Sequence, residues 1–253
     1  MSRIVIKVGT STVTRENGTI HLRRLDRLAR VLTDLKNTGH EIVLVTSGAV
    51  GAGVGRLGIE RPTDIPGKQA AAAIGQCELM SVYDRSFAAY GAVTAQILLD
   101  AGVLQTSHFE HAVNTFRKLL EFGAIPIVNE NDSVAVEELG IGDNDTLSAI
   151  VAELVKADLL VILTDIDGLY DRDPHEEGAV LLHEIHGVSD EVTAMAGGAG
   201  TKGGTGGMKT KLTAATRANK AGIDVIIAAG EDPAVLYDIT DGKPVGTRFY
   251  ADR

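Results

Sequence analysis

Short runs of β-branched and aliphatic residues recur along the chain at 4–8, 42–46, 93–98, 125–128, 159–164 and 224–228. Runs of this length and composition predict strands buried on both faces. Between most of them the apolar positions repeat at helical spacing. Leu22, Leu25, Leu28, Leu32 and Leu35 form one stripe, with Arg23, Arg24, Arg27, Arg30 and Asp34 on other faces. Asn37-Thr38-Gly39 then supplies a stop signal. Further helices are predicted over 69–90, which is rich in alanine, and over 108–122, 145–156 and 208–221. Strands alternating with helices imply crossover connections. The expected fold is therefore α/β: a three-layer α/β/α sandwich around a mostly parallel central sheet.

Sheets of this kind bind ligands beyond the carboxyl ends of their strands. The segments just after the predicted strands are thus the first candidates for chemistry. They read Lys7-Val8-Gly9-Thr10-Ser11, Thr46-Ser47-Gly48-Ala49, Asn129-Glu130-Asn131-Asp132 and Thr164-Asp165. The six prolines are scattered and no Pro/Ser-rich linker divides the chain, so one domain with two lobes is expected.

Composition narrows the function classes. There are 29 glycines in 253 residues, more than the roughly 7% of ordinary domains. They cluster at 48, 51, 53, 55 and 58 and again at 197, 198, 200, 203, 204, 206 and 207, without a Gly-X-Y period. They therefore read as backbone devices in a folded domain. The formal charge of −10 disfavours a general nucleic-acid or anionic-membrane binder, and ten Tyr and Phe with no Trp supply a poor base-stacking platform. Cys77 stands alone, so no internal disulfide forms, and in an Ala-rich helix it reads as a small core residue. The N-terminus turns polar too soon for a signal peptide, and no apolar run reaches membrane-spanning length. A soluble, cytoplasmic protein is expected.

Several patterns carry less than they promise. Gly53–Gly58 spells GxGxxG but starts well after the strand end, and Pro62 comes too soon after it for a long helix; the match at 198–203 lies after a helix. Neither meets the placement rule for a dinucleotide site. The Walker pattern is absent. His108/His111 and His183/His186 lack the companions a zinc site needs, and the 165–176 segment has Tyr170 where a calcium loop needs glycine. Two segments are stronger. Gly204-Thr205-Gly206-Gly207-Met208-Lys209-Thr210-Lys211 runs straight into a helix, where free N–H groups, the helix dipole and two lysines favour an anion such as phosphate. Gly142-Asp143-Asn144-Asp145-Thr146 turns abruptly helical, with Asp145 as a candidate N-cap. Capping explains one Asp. It leaves Asp143, Asn144, Asn129, Asn131 and Asp132 free to meet an ammonium group, a metal–phosphate complex or lysines.

With Lys7, VTSGAVGAG, NEND, GDND, TDIDGLY and GTGGMKTK in this order, the chain resembles the amino acid kinase superfamily from about residue 3 to about residue 250. Within it, VTSGAVGAG at 45–53 separates it from the acetylglutamate and isopentenyl phosphate branches, whose loop is HGGG-like. The similarity is to the branch that acts on free glutamate. The resemblance implies transfer of the ATP γ-phosphoryl group to the side-chain carboxylate of L-glutamate, with Mg²⁺, at the head of proline biosynthesis. It implies Lys7 and Lys211 on the transferring phosphoryl and Asp145 holding both lysines. Ser47, Asp132 and Asn144, with Asn129 and Asp143 nearby, would bind glutamate. Thr164, Asp165, Thr205, Gly206, Gly207, Met208, Lys209, Thr210 and Lys211, together with Lys7, would line the nucleotide. No resident metal site is read from the sequence. The amino-acid lobe would span about 1–155 and the nucleotide lobe about 156–253. Many relatives carry a further C-terminal PUA domain, and this chain is expected to lack it; Asp167 and Lys209 stand where other side chains are common. Feedback inhibition by proline and a homo-oligomer are expected from the resemblance alone.

Overall fold

The computed structural model describes residues 1–104, 106–134, 143–195 and 207–251. Eight strands form the central sheet: β1 (Arg3–Val8), β2 (Glu41–Val45), β3 (Thr94–Leu99), β4 (Ile125–Glu130), β5 (Leu159–Thr164), β8 (Glu184–His186), β9 (Asp224–Ala229) and β10 (Thr247–Tyr250). Their order across it is β3-β4-β2-β1-β5-β9-β10-β8. Every neighbouring pair is parallel except β9 with β10. A short antiparallel hairpin, β6 (Leu169–Tyr170) with β7 (Leu181–Leu182), stands apart from the sheet. Three short helices, α1 (Thr10–Val13), α7 (Asp190–Met195) and α9 (Val235–Thr240), lie in the connections.

All six predicted strands are present, and the mostly parallel three-layer architecture is as expected. Alternation along β1 sorts its side chains into two cores. Ile4, Ile6 and Val8 pack with Leu25, Leu28 and Leu32 of helix α2 (Leu22–Asn37) and with Leu79 and Tyr83 of α4 (Ile65–Ala88). Val5 faces the other way, onto Leu147, Ile150 and Val151 of α6 (Asn144–Val155) and Leu212 of α8 (Met208–Lys220). Each fully buried Val, Leu or Ile is worth about 1.5–3 kcal/mol relative to exposure. Because side chains alternate with period two, Lys7 shares the Val5 face and lies on the α6/α8 side.

β1 pairs with β2 on one edge and β5 on the other, so the order of strands along the sheet reverses there. That is the switch point at which α/β sheets open a crevice. Helix α5 (Thr106–Glu121) returns β3 to β4 on the α6 side of the sheet.

The first glycine cluster forms a helix, α3 (Ala49–Leu57), packed closely on α4. A Cβ on Gly53 would lie 1.8 Å from the Ala71 carbonyl oxygen, and one on Gly75 1.8 Å from that of Ala49. The two backbones touch where side chains would otherwise hold them apart. Gly75→Ala is expected to cost about 1–3 kcal/mol or more through overpacking. Chemical denaturation reads this directly, and an unchanged midpoint would show that α3 can slide on α4. Along the same helix Cys77 is exposed, not a core residue as expected. An Ala-rich sequence offers little contrast between inner and outer faces. The helix also starts earlier than predicted, capped by Asp64, whose carboxylate accepts from Gly67 N–H, with proline in its first turn. No helix among the described residues is long and apolar enough to cross a membrane.

Candidate active site

Residues from three of the polar segments predicted at strand ends, Lys7, Ser47 and Asn129, meet the start of α6. Lys7, near the end of β1, is buried, and its Nζ lies 2.7 Å from Asp145 Oδ1. Asp145 sits in the first turn of α6 and is 1% exposed. Its Oδ2 lies 3.3 Å from Nζ of Lys211, another buried residue, in the first turn of α8. Oδ2 also accepts a 2.8 Å hydrogen bond from the Thr210 hydroxyl. One carboxylate thus bridges two lysines from opposite halves of the chain. Burial alone would push the Asp145 carboxyl up. The charges of Lys7 and Lys211 and the hydrogen bonds from Lys7 and Thr210 more than reverse this, leaving it below the ordinary aspartate value. Asp145 is therefore ionised throughout the neutral and mildly acidic range.

The N-cap of α6 is Asp143, not Asp145. The Asp143 carboxylate accepts from Thr146 N–H at 2.8 Å and from the Thr146 hydroxyl at 3.1 Å. Two aspartates two residues apart compete for the cap. The one whose side chain can turn back on the helix N–H groups takes it, which frees the next-but-one for the lysines. This cap occupies the carboxylate that the sequence grouped with the substrate residues.

Beside the lysine clamp lies a network of amides and hydroxyls. Asn144 Nδ2 donates to Ser47 Oγ at 3.0 Å and to Asn129 Oδ1 at 3.2 Å. Asn129 Nδ2 donates in turn to Gln76 Oε1 at 2.9 Å. Ser47 comes just after β2, and Gly48 beyond it adopts φ = +94° as the N-cap of α3, a left-handed conformation that glycine accepts without strain. Thr46, one residue earlier, shares a 2.8 Å hydrogen bond with the wholly buried Tyr83 hydroxyl, fixing the end of β2 to α4. Asp132 lies in the turn after β4. Burial pushes its carboxyl above the ordinary aspartate value.

On the other side of β1, Thr164 ends β5 and its hydroxyl donates to the exposed Asp165 carboxylate at 3.0 Å. A pocket nearby is lined by Ile166, Gly168, Leu169, Tyr170, Arg172, Asp173, Pro174, Met195 and Met208. Gly207 caps α8, and Met208 and Thr210 stand in its first turn, whereas Lys209 points outward and is exposed. Thr205 and Gly206 lie outside the described residues. Gln76 was missed by sequence reading. A glutamine in an Ala-rich helix carries no motif, and only the fold brings it to Asn129.

The fold and this constellation define a phosphotransferase class, and residues 2–229 match the amino acid kinase family. The chain belongs to the amino acid kinase family. It is 52% identical to glutamate 5-kinase of Clostridium perfringens (strain 13 / Type A), over 99% of this chain and 96% of that one. It is 51% identical to glutamate 5-kinase of Listeria innocua serovar 6a, over 98% and 92%. Among solved structures, carbamate kinase from Giardia lamblia bound to AMP-PNP superposes with a TM-score of 0.72 at 17% identity, covering 99% of each chain. The T. acidophilum isopentenyl phosphate kinase product complex gives 0.70 at 19% identity, covering 98% of this chain and 100% of that one.

Proposed function

We propose that this protein transfers the γ-phosphoryl group of ATP to the side-chain carboxylate of L-glutamate, giving L-glutamyl 5-phosphate, the first step of proline biosynthesis. The observation that carries this is the buried Lys7–Asp145–Lys211 clamp at the switch point, in a chain about half identical to glutamate 5-kinases over nearly its whole length.

A carboxylate oxygen of glutamate attacks the γ-phosphorus, the bond to the β,γ-bridging oxygen breaks, and ADP leaves with that electron pair. The nucleophile is already ionised at neutral pH, so no general base is required. The obstacle is the meeting of two anions. Lys7 and Lys211 oppose it by placing positive charge where the equatorial oxygens gather negative charge in the transition state. Asp145, itself held by the Thr210 hydroxyl, fixes both ammonium groups, so little reorganisation remains at the moment of transfer. Magnesium enters as part of the MgATP substrate. There it is carried on phosphate oxygens and water.

Asp132 and the buried Asn144 carbonyl oxygen, which has no hydrogen-bond partner among the described residues, suit the α-ammonium of glutamate, with Ser47 and Asn129 fixing Asn144. Asp143 contributes through the cap that sets α6. Thr164, Asp165 and the segment from Thr205 to Lys211 line the nucleotide, and the Tyr170–Met208 pocket suits its base. Residues 1–155 thus form the amino-acid lobe and 156–253 the nucleotide lobe. Proline, which shares the α-carboxylate and a ring ammonium, is the fitting feedback inhibitor. A cytoplasmic location and assembly of identical subunits complete the reading.

Its test is ADP release from MgATP with glutamate, N-acetylglutamate, aspartate and UMP in parallel, with hydroxylamine trapping any acyl phosphate. Preference for another acceptor overturns it, and glutamate binding without turnover would mark an amino-acid sensor instead. Because the Asp132 pKa is raised, this carboxylate takes up its proton at a higher pH than an ordinary aspartate and then loses its hold on an ammonium. The KM for glutamate is therefore expected to rise as pH falls toward that pKa, while kcat at saturation changes less. Asp132→Asn should remove this pH dependence; the same acid limb in the variant would assign it elsewhere.

A further inference from the structure

Gln76 lies in α4, one element away from the strand ends, yet its side chain terminates the amide network. It is 9% exposed, and its Oε1 accepts from Nδ2 of Asn129, which is 1% exposed. Asn129 Oδ1 accepts from Asn144 Nδ2, whose second hydrogen goes to Ser47 Oγ. Two polar atoms at the ends of this relay have no hydrogen-bond partner among the described residues: Gln76 Nε2 and Asn144 Oδ1.

A relay of amides has a direction. As it stands, every link donates toward Gln76, and Asn144 is left presenting a carbonyl oxygen. Were all three amides turned over, each link would reverse and Asn144 would present its NH₂ instead. The Ser47 hydroxyl can donate or accept, so it does not select between the two. Gln76 can likewise serve in either sense, but Asn129 can direct its NH₂ there only while position 76 offers an acceptor. Reversal matters for an amino-acid substrate. A carbonyl attracts its α-ammonium, and an NH₂ group repels it.

We infer that Gln76 is a positioning residue that supplies the acceptor this direction requires and thereby lets Asn144 serve as an acceptor for the α-ammonium of glutamate. It touches no substrate and acts through Asn129 and Asn144. This rests on the proposed glutamate kinase activity, so the wild-type protein must first turn over glutamate; failure there would overturn that reading and not this one.

The test compares Gln76→Met with Gln76→Glu. Methionine keeps the length and removes the acceptor. Glutamate keeps a carbonyl oxygen for Asn129, whether ionised or neutral. Gln76→Met is expected to raise the KM for glutamate about tenfold, the size of effect that arises when a buried hydrogen-bonding group is left unpartnered. The kcat and the KM for MgATP should stay within about twofold. Gln76→Glu should stay within about threefold of wild type. Turnover of glutarate, which lacks the ammonium, should be weak in all three proteins and equally so. An unchanged KM in Gln76→Met, an equal loss in Gln76→Glu, or a parallel loss on glutarate would each overturn the inference. Melting curves of both variants keep a folding defect distinct from loss of recognition, and Gln76→Glu keeps the inference falsifiable if Gln76→Met does not fold.

Discussion

Lys211→Ala is expected to lower kcat at least a hundredfold, with the KM for glutamate nearly unchanged. Removing one donor preorganised at developing negative charge typically costs about 10²–10³ in kcat, and a cation on a transferring phosphoryl group can be worth about 10³–10⁵. Lys211 Nζ is held 3.3 Å from Asp145 Oδ2 in the first turn of α8, where the free N–H groups of a helix start add to its field. Its contribution grows as the phosphoryl group leaves ADP, so the loss should fall on kcat. Single-turnover quench measurements separate chemistry from product release. Turnover within a few-fold of wild type would remove Lys211 from the mechanism.

Asp145→Ala is expected to lower stability as well as turnover. The carboxylate is 1% exposed and balances two buried ammonium groups. Its loss takes from Lys7 and Lys211 the carboxylate they share, and breaking a buried pair costs about 3–5 kcal/mol. At about 2–4 °C per kcal/mol for a chain of this size, the melting midpoint should fall by roughly 6–20 °C. Because its folded pKa is depressed, the stability from Asp145 is present above the unfolded value and lost as pH falls through the folded one. The gap between wild type and Asp145→Ala should therefore close in strong acid. An equal difference at neutral and strongly acidic pH would show that packing, not charge, is what the substitution removes.

The frame of the molecule was legible because its sheet is buried on both sides. Strands such as β1 and β5 read as uninterrupted β-branched runs, and the leucine stripe of α2 left no competing period. The short strands β8 and β10 were not legible. They mix charged, aromatic and polar residues, and their pairing is decided by sheet closure beyond β9. In the site, Lys7, Asp145 and Lys211 stood out as charged residues at element ends, and the fold brings them together. The cap of α6 was misplaced by two residues, since Asp143 and Asp145 look alike until the lysines are in place. Gln76 was invisible for the opposite reason: its chemistry arises only from proximity to Asn129, 53 positions away.

The clamp has an electrostatic consequence of its own. Two ammonium groups sharing one carboxylate leave a single excess positive charge, inside a chain whose formal charge is −10. A bare triphosphate would bring far more negative charge than that trio can balance, and the glutamate side chain adds another. The trio therefore cannot serve as the nucleotide's whole counter-ion. Magnesium is the missing part of that balance, and the nucleotide this crevice is built to recognise is already half neutralised when it arrives.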